Sequence, residues 1–413
     1  MNKIEKLIDN LKKRGIINNI TNEDKIKNLK EGDGIYIGFD PTADSLHLGN
    51  YIPITILRRF SKVGLKSYAV LGGATGMIGD PSFKEDERKL LDEETLNRNK
   101  KSIKEQLESF GLEVIDNYDI YKNMNIIDFL RDIGKYINVN YMINKDAIAS
   151  RLEKGISFTE FTYTLLQGYD FSYLYKHKNI KIQAGGSDQW GNITTGLEFI
   201  RKFYGENNAL GITLNLLLNS EGKKFGKSVE GAIWLSKYKT SPYSMYQFFI
   251  NQKDEDVEKL LNWYTFLDDE EIEKIMFYHK KDPKKKLAQK LLALKVVQNI
   301  HGKTQAANAK EITEILFDSS KSITDITMEQ LELILNDLPL FDNKQQKRKI
   351  IDLLIDSKIC SSKREAREML ASGSIQVDGI IKKDENEEIF PRFFNYQYLI
   401  IKKGKKNYYI IKF

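Results

Sequence analysis

Residues 214–231 hold a charged loop directly after an apolar run, Gly222-Lys-Lys-Phe-Gly-Lys-Ser228. Lys224 and Lys227 would set positive charge where an anion lies, and Ser228 adds a hydroxyl donor. A phosphate-cradling P-loop reads G-x-x-x-x-G-K-[ST] after a strand, so this loop is one residue short. A second element of similar kind stands upstream. His47 lies in Leu-His-Leu-Gly-Asn50, between a strand with a proline turn and an apolar helix. Helix N-terminal amides favour an anion at such a place. Alone, a histidine beside a helix start is more often structural than catalytic. Together, two charge-bearing loops at one sheet edge suit the clamping of a triphosphate from two sides. A third set, Tyr163, Gln167 and Asp170 in FTYTLLQGYDF, falls at i, i+4 and i+7 and so shares one helical face. Such a stripe is either solvated surface or the polar wall of a pocket.

The elements that must position these residues have a repeating form. IYIGFD (35–40) leads through PTADSLHLGN into the apolar helix YIPITILRRF. SYAVLGGATGMIGDPS (67–82) is a strand running into glycines, and IKIQAGGSDQWGN (180–192) feeds the periodic helix ITTGLEFIRKFYG. Strand, glycine turn and helix in repetition predict a doubly wound α/β sheet with ligands at the strands' C-terminal ends. None of the turns reads G-x-G-x-x-G, which disfavours a dehydrogenase-type dinucleotide fold.

The sequence divides into a Rossmann-like catalytic domain over residues 1–228, with a charged helical insertion at about 85–178, and an α-helical domain over 229–320. A linker at 321–344 and a small α+β domain at 345–413 follow. In the last part SSKREAREMLASGSIQVDG reads as a capped helix, a glycine stop and a hairpin turning at Asp378-Gly379.

Composition narrows the class. At 413 residues, 41% hydrophobic and 30% charged, the chain has the makings of several folded domains rather than a disordered polymer. Its single cysteine, Cys360, has no intrachain partner, which fits a reducing cytosol. The N-terminus lacks the apolar core of a signal peptide, and no apolar run reaches membrane-spanning length. His47, His177, His279 and His301 are scattered, so no zinc site is expected, nor any dedicated site for another metal. The net charge of +6 is concentrated: residues 345–413 carry 15 Lys+Arg against 9 Asp+Glu, and the rest of the chain balances. A basic terminal domain suggests a nucleic-acid arm, with a solvated lysine-rich surface as the alternative.

With both loops in view, the chain resembles the class I aminoacyl-tRNA synthetases. In that family an H-x-G-H element and a K-M-S-K-S element bind ATP and stabilise the pyrophosphate leaving group. Here they read His47-Leu-Gly-Asn50 and Lys224-Phe-Gly-Lys-Ser228. The K-F-G-K-[ST] variant, with YIGFDPTADSLHLGN, GGATGMIGDPS and GGSDQWGN, is similar to the bacterial tyrosine branch of the family. The resemblance covers nearly the whole chain, and it favours the lysine loop of a synthetase over a P-loop.

The resemblance implies roles residue by residue. His47, Asn50, Thr42, Lys224, Lys227 and Ser228 would act in activation. Tyr163, Gln167 and Asp80 match residues that bind the substrate ammonium, Tyr36 and Asp170 those reaching a phenolic hydroxyl, and Gln189 stands with this tyrosine-binding set. Gly38, Asp40, His47, Gly49, Asn50, Gly186, Asp188 and Lys227 match positions around ATP. Asn50 departs from the family's second histidine, although its amide still donates as a neutral imidazole does. Lys363, Arg364 and Arg367 form a basic patch on a segment similar to S-four-like RNA-binding domains, and would contact tRNA(Tyr) through phosphates and shape. The implied substrates are L-tyrosine, ATP with Mg²⁺, and tRNA; the implied assembly is a homodimer through the 85–178 region, in the cytoplasm and without membrane attachment. A tryptophan-specific relative and a catalytically idle RNA-binding protein on the same scaffold are the alternatives. The Tyr36/Asp170 pair disfavours the first, and the intact lysine loop the second.

Overall fold

The computed structural model describes residues 2–80, 91–152, 155–228, 231–318, 320–345 and 347–413, with the backbone alone for Asp146, Ala147, Ser150, Lys227 and Ser228. The chain forms two compact units, residues 1–236 with 253–281 and residues 237–252 with 282–413.

The first unit is built on six strands: β1 (Ile17–Ile20), β2 (Gly34–Phe39), β3 (Lys66–Leu71), β4 (Glu113–Asp116), β5 (Ile180–Gly186) and β6 (Leu210–Leu214). Their order is β1-β6-β5-β2-β3-β4, with β1 antiparallel to β6 and every other pair parallel. The expected doubly wound sheet is present. The central strands are buried because both faces are covered, as parallel sheets require. The chain winds outward from β2 in one direction and from β5 in the other. The crevice beyond the C-terminal ends of β2 and β5 is therefore the switch point where ligands bind in such sheets.

The helices Leu48–Lys62, Phe158–Lys178 and Trp190–Tyr204 pack against this sheet. Residues 85–178, expected as an insertion, are only partly one. They supply the edge strand β4, and their last helix, Phe158–Lys178, packs on β5 and on Trp190–Tyr204. Four residues, EVID, are too short a strand to stand out among charged neighbours.

The expected helical domain at 229–320 is also divided. Residues 253–281 fold onto the first unit, where Trp263 and Tyr264 are buried and Arg14 pairs with Asp269 at 2.6 Å. Likewise, the first unit continues past 228 to 236.

In the second unit the helices Pro242–Ile250, Leu287–His301 and Lys303–Phe317 pack together. Residues 321–344, expected as a linker, are a packed layer. Ile323, Ile326, Leu331 and Ile334 are buried with Tyr398, Ile400 and Ile410, and Leu340–Asp342 pairs in parallel with Asn407–Lys412. The turn residues of this stretch end short elements without freeing the apolar positions from burial.

Candidate active site

Strand alternation sends Tyr36, Gly38 and Asp40 to one side of β2. They meet Tyr163, Gln167 and Asp170 from the Phe158–Lys178 helix, Asp80 from the segment that follows β3, Gly186 from the end of β5, and Asp188 and Gln189 from the turn after it. All of these line one cavity of about 190 Å³ at the switch point. Every residue expected to contact the amino acid is in this lining, so the helical stripe is a pocket wall.

The cavity has two polar ends. At one, Gln189 Nε2 donates to Asp80 at 2.7 Å and Gln167 Nε2 donates to Gln189 Oε1 at 3.1 Å. At the other, Asp170 accepts from Asn117 Nδ2 at 2.9 Å and from the Tyr121 hydroxyl at 2.6 Å. Burial pushes the Asp170 carboxyl up to about 7, against the lowering effect of these two bonds. The Tyr36 hydroxyl is fully buried and has no hydrogen-bond partner among the described residues. Burial, and then the Asp170 charge, push it well above the ordinary tyrosine value, so it remains a neutral donor. Asp188 is also raised, by desolvation first and by Asp80 second, while the charge of Lys224 opposes the rise.

A second cavity of about 710 Å³ shares Pro53, Gly186 and Asp188 with the first, and adds Gly49, Lys224 and Phe225. The two charge-bearing loops meet here. Gly226, at φ +98°, lies against Leu48 and Gly49, and a Cβ on it would come within 3.3 Å of the Gly49 nitrogen. Leu48 N–H donates to Ile233 O at 2.9 Å, and Ile233 N–H to Gly226 O at 3.1 Å. Tyr264 braces the join from below. Its hydroxyl donates to Leu48 O at 3.1 Å, and its ring lies 5.5 Å from that of Phe225.

His47 and Asn50 are not in either lining. They form a reciprocal cap on the Leu48–Lys62 helix: Asn50 N–H donates to His47 Nδ1 at 3.3 Å, and His47 N–H donates to Asn50 Oδ1 at 3.1 Å. The sequence predicts the Asn50 amide as a donor in place of an imidazole; in this cap its oxygen is the acceptor. With Nδ1 accepting, the His47 proton sits on Nε2. Thr42 is exposed and outside both linings. Gly38 keeps open space above β2, while the ring of His47 lies over Gly49. Lys224 is exposed and bridges Leu218 through its backbone. Lys227–Ser228 form a short antiparallel pair with Gly231–Ala232, and their side chains lie outside the described residues.

Sequence reasoning missed Asn117, Tyr121 and Tyr264. Asn117 and Tyr121 follow the unrecognised strand β4, and Tyr264 sits in what reads as a separate domain. The available signal was a polar NYDIY stretch at a strand's C-terminal end.

In the second unit Lys363, Arg364 and Arg367 are exposed on the Lys363–Ala371 helix, capped by Ser362. Each is paired: Lys363 with Asp352 at 3.5 Å, Arg364 with Glu368 at 3.0 Å and Arg367 with Glu385 at 2.6 Å. Such exposed pairs are worth about 0.2–1 kcal/mol, so a phosphate can replace the carboxylate.

The chain matches two family descriptions: "tRNA synthetases class I (W and Y)" over residues 29–318, and "Tyrosine--tRNA ligase SYY-like C-terminal domain" over residues 330–411. It is 55% identical over 409 residues to the tyrosine–tRNA ligase of Ureaplasma urealyticum, covering 98% of each chain. It is 49% identical over 411 residues to that of Mycoplasmopsis synoviae, covering 99% of this chain and 100% of the relative. Among solved structures it is similar to a C-terminally truncated mitochondrial tyrosyl-tRNA synthetase of Aspergillus nidulans. The identity is 31% and the TM-score 0.67, covering 75% of this chain and 94% of that one.

Proposed function

The chain belongs to the class I tRNA synthetases of the W and Y group, and from this membership and its cavity we propose that it acts as a tyrosine–tRNA ligase. The observation that carries tyrosine is the Tyr36 hydroxyl beside Asp170, which is without a hydrogen-bond partner among the described residues. A buried hydroxyl without a partner costs about 1–3 kcal/mol, which a ligand oxygen relieves. A phenol accepts from Tyr36 and donates to Asp170 at once. An indole N–H only donates, so tryptophan leaves Tyr36 unpaired.

The ammonium of tyrosine binds at the Asp80, Gln167 and Tyr163 end, with Gln189 bridging Asp80 and Gln167. The tyrosine carboxylate attacks the α-phosphorus of ATP in line, pyrophosphate leaves, and tyrosyl-adenylate stays bound. The 3′-terminal adenosine hydroxyl of tRNA(Tyr) then attacks the acyl carbon and AMP leaves. ATP lies between Gly38, Asp40, Gly186 and Asp188 on one side and the joined loops on the other. Lys224 and Lys227 meet the charge that develops on pyrophosphate, Ser228 adds a donor, and His47 and Asn50 hold the helix start over which the phosphates lie. Positioning and charge stabilisation dominate over acid–base chemistry. Among the described residues no three His, Cys, Asp or Glu side chains form a metal cage, and Mg²⁺ is read as part of the MgATP substrate.

Lys363, Arg364 and Arg367 are read as tRNA phosphate contacts. A homodimer through the 85–178 region is supported by exposed Ile126, Ile127, Val139 and Phe158, at 65%, 63%, 58% and 72% exposure. Among the described residues no helix is long and apolar enough to cross a membrane, and charging of tRNA in the cytoplasm is the proposed setting.

The test is ATP–pyrophosphate exchange with each of the twenty amino acids. Exchange dependent on tyrosine alone supports the reading. Exchange with tryptophan, or none at all, overturns it.

A further inference from the structure

Asp170 is buried, and both its oxygens are held by residues that follow β4. The two holders differ in kind. Asn117 is fixed, because its Oδ1 accepts from Ala74 N–H at 2.8 Å while its Nδ2 donates to Asp170. Tyr121 can switch. Its hydroxyl lies 2.6 Å from Asp170 Oδ1 and 2.7 Å from the main-chain oxygen of Leu166, one turn earlier on the same helix. One proton therefore has two acceptors within reach. An ionised Asp170 takes it, since a charge-assisted bond is the stronger. When Asp170 is protonated, the carboxyl donates to Tyr121 and Tyr121 donates to Leu166. Both states of the buried carboxyl are thus satisfied.

Tyr121 does not line the cavity, so it acts through Asp170. We infer that Tyr121 is the positioning residue of the hydroxyl-reading end: it holds Oδ1 so that Asp170 presents its remaining lone pairs to the cavity, and thereby sets the selection of a phenol over a phenyl side chain. This rests on the reading that the cavity takes tyrosine. The other titratable groups around Asp170 are Tyr36 on β2, Asp40 just beyond it, whose charge also acts on Asp170, and Tyr169, whose ring lies 6.2 Å from that of Tyr121. Removing the Tyr121 hydroxyl removes a bond that favours the ionised carboxylate, so Asp170 then titrates at higher pH.

The test uses the full-length protein with Tyr121→Phe, and Tyr169→Phe as a neighbour that leaves both Asp170 bonds in place. In exchange assays Tyr121→Phe should raise the tyrosine KM about tenfold, the scale of one hydrogen bond to a charged group, with kcat within about twofold. The preference for tyrosine over phenylalanine should fall by a similar factor, and the acid limb of kcat/KM should move to higher pH. Tyr169→Phe should move neither. If the wild type exchanges with tyrosine while Tyr121→Phe leaves preference and limb in place, the inference fails alone. It fails equally if both variants change all parameters alike, since the ring cluster would then act by packing. A wild type inert toward tyrosine overturns the functional reading together with the inference.

Discussion

Gly226 faces Gly49 so closely that a Cβ on Gly226 would stand 3.3 Å from the Gly49 nitrogen, with the Gly226 backbone itself at φ +98°. This contact fixes the lysine loop to the start of the Leu48–Lys62 helix. Gly226→Ala brings left-handed strain of about 1–2 kcal/mol and pushes the loops apart. Single-turnover adenylate formation should slow about tenfold or more, with tyrosine binding within about twofold. A variant as fast as the wild type would show that the two loops work without this contact.

Asn50 gives the helix start its reciprocal cap. Asn50→Ala removes the acceptor for His47 N–H and should cost about 0.5–2 kcal/mol of local stability. Asn50→Asp keeps an acceptor and should preserve the cap, yet it adds negative charge at the helix start over which the proposed function lays the ATP phosphates. The alanine variant should therefore lower the unfolding temperature, and the aspartate variant should mainly raise the KM for ATP. Equal ATP kinetics in both would remove Asn50 from the nucleotide site.

Lys227→Ala should slow activation by about 10²–10³, the effect of losing one preorganised charge donor, while tyrosine affinity holds. Pre-steady-state activation at saturating ATP and tyrosine measures it. An unchanged rate removes the lysine from pyrophosphate stabilisation.

Tyr36→Phe deletes one neutral donor and should reduce tyrosine-over-phenylalanine preference by about 0.5–1.5 kcal/mol. The pH profile tests its partner. Asp170 is raised from the ordinary 3.8 to about 7, so kcat/KM for tyrosine should climb through that region as the free enzyme's carboxyl ionises. The stability sign is the reverse of the usual carboxylate case. Between about 4 and 7 the native Asp170 holds a proton that the unfolded chain has released, so its contribution to stability falls as pH rises. Asp170→Asn should remove that downward slope in urea-unfolding midpoints; an identical pH dependence in wild type and variant would refute the assignment.

Cutting the chain at residue 340 does not separate a clean module. Leu316, Leu331 and Ile334 share a core with Tyr398, Ile400, Tyr408 and Ile410, so truncation there should give an unstable protein, read as a lower unfolding temperature. Lys363→Gln, Arg364→Gln and Arg367→Gln together are the better test of the arm. Exchange should remain normal, tRNA charging should fall, and the salt dependence of tRNA binding should flatten by about one unit per lost phosphate contact. Normal charging with an unaltered salt slope would place the tRNA contacts elsewhere.

Local order decided what the sequence could settle. The strand–glycine–helix repeats depend on neighbouring residues, so the parallel sheet was legible from them. The polar stripe at Tyr163, Gln167 and Asp170 needed only the helical period, and it does form the wall of the cavity. What needed the fold was everything joined across long separations. The four residues of β4 gain their place only by pairing with β3, and with them come Asn117 and Tyr121 beneath Asp170. Tyr264 reaches Leu48 across 216 positions, and Gly226 reaches Gly49 across most of the same unit. The 321–344 stretch carries turn residues that read as a linker, and only the partners available to its apolar side chains made it core. The sequence thus determined which groups could do the chemistry and the strand ends that carry them. Tertiary packing alone decided how those groups are held, because a hydrogen bond or a packed side chain depends on distance in space and not on spacing along the chain.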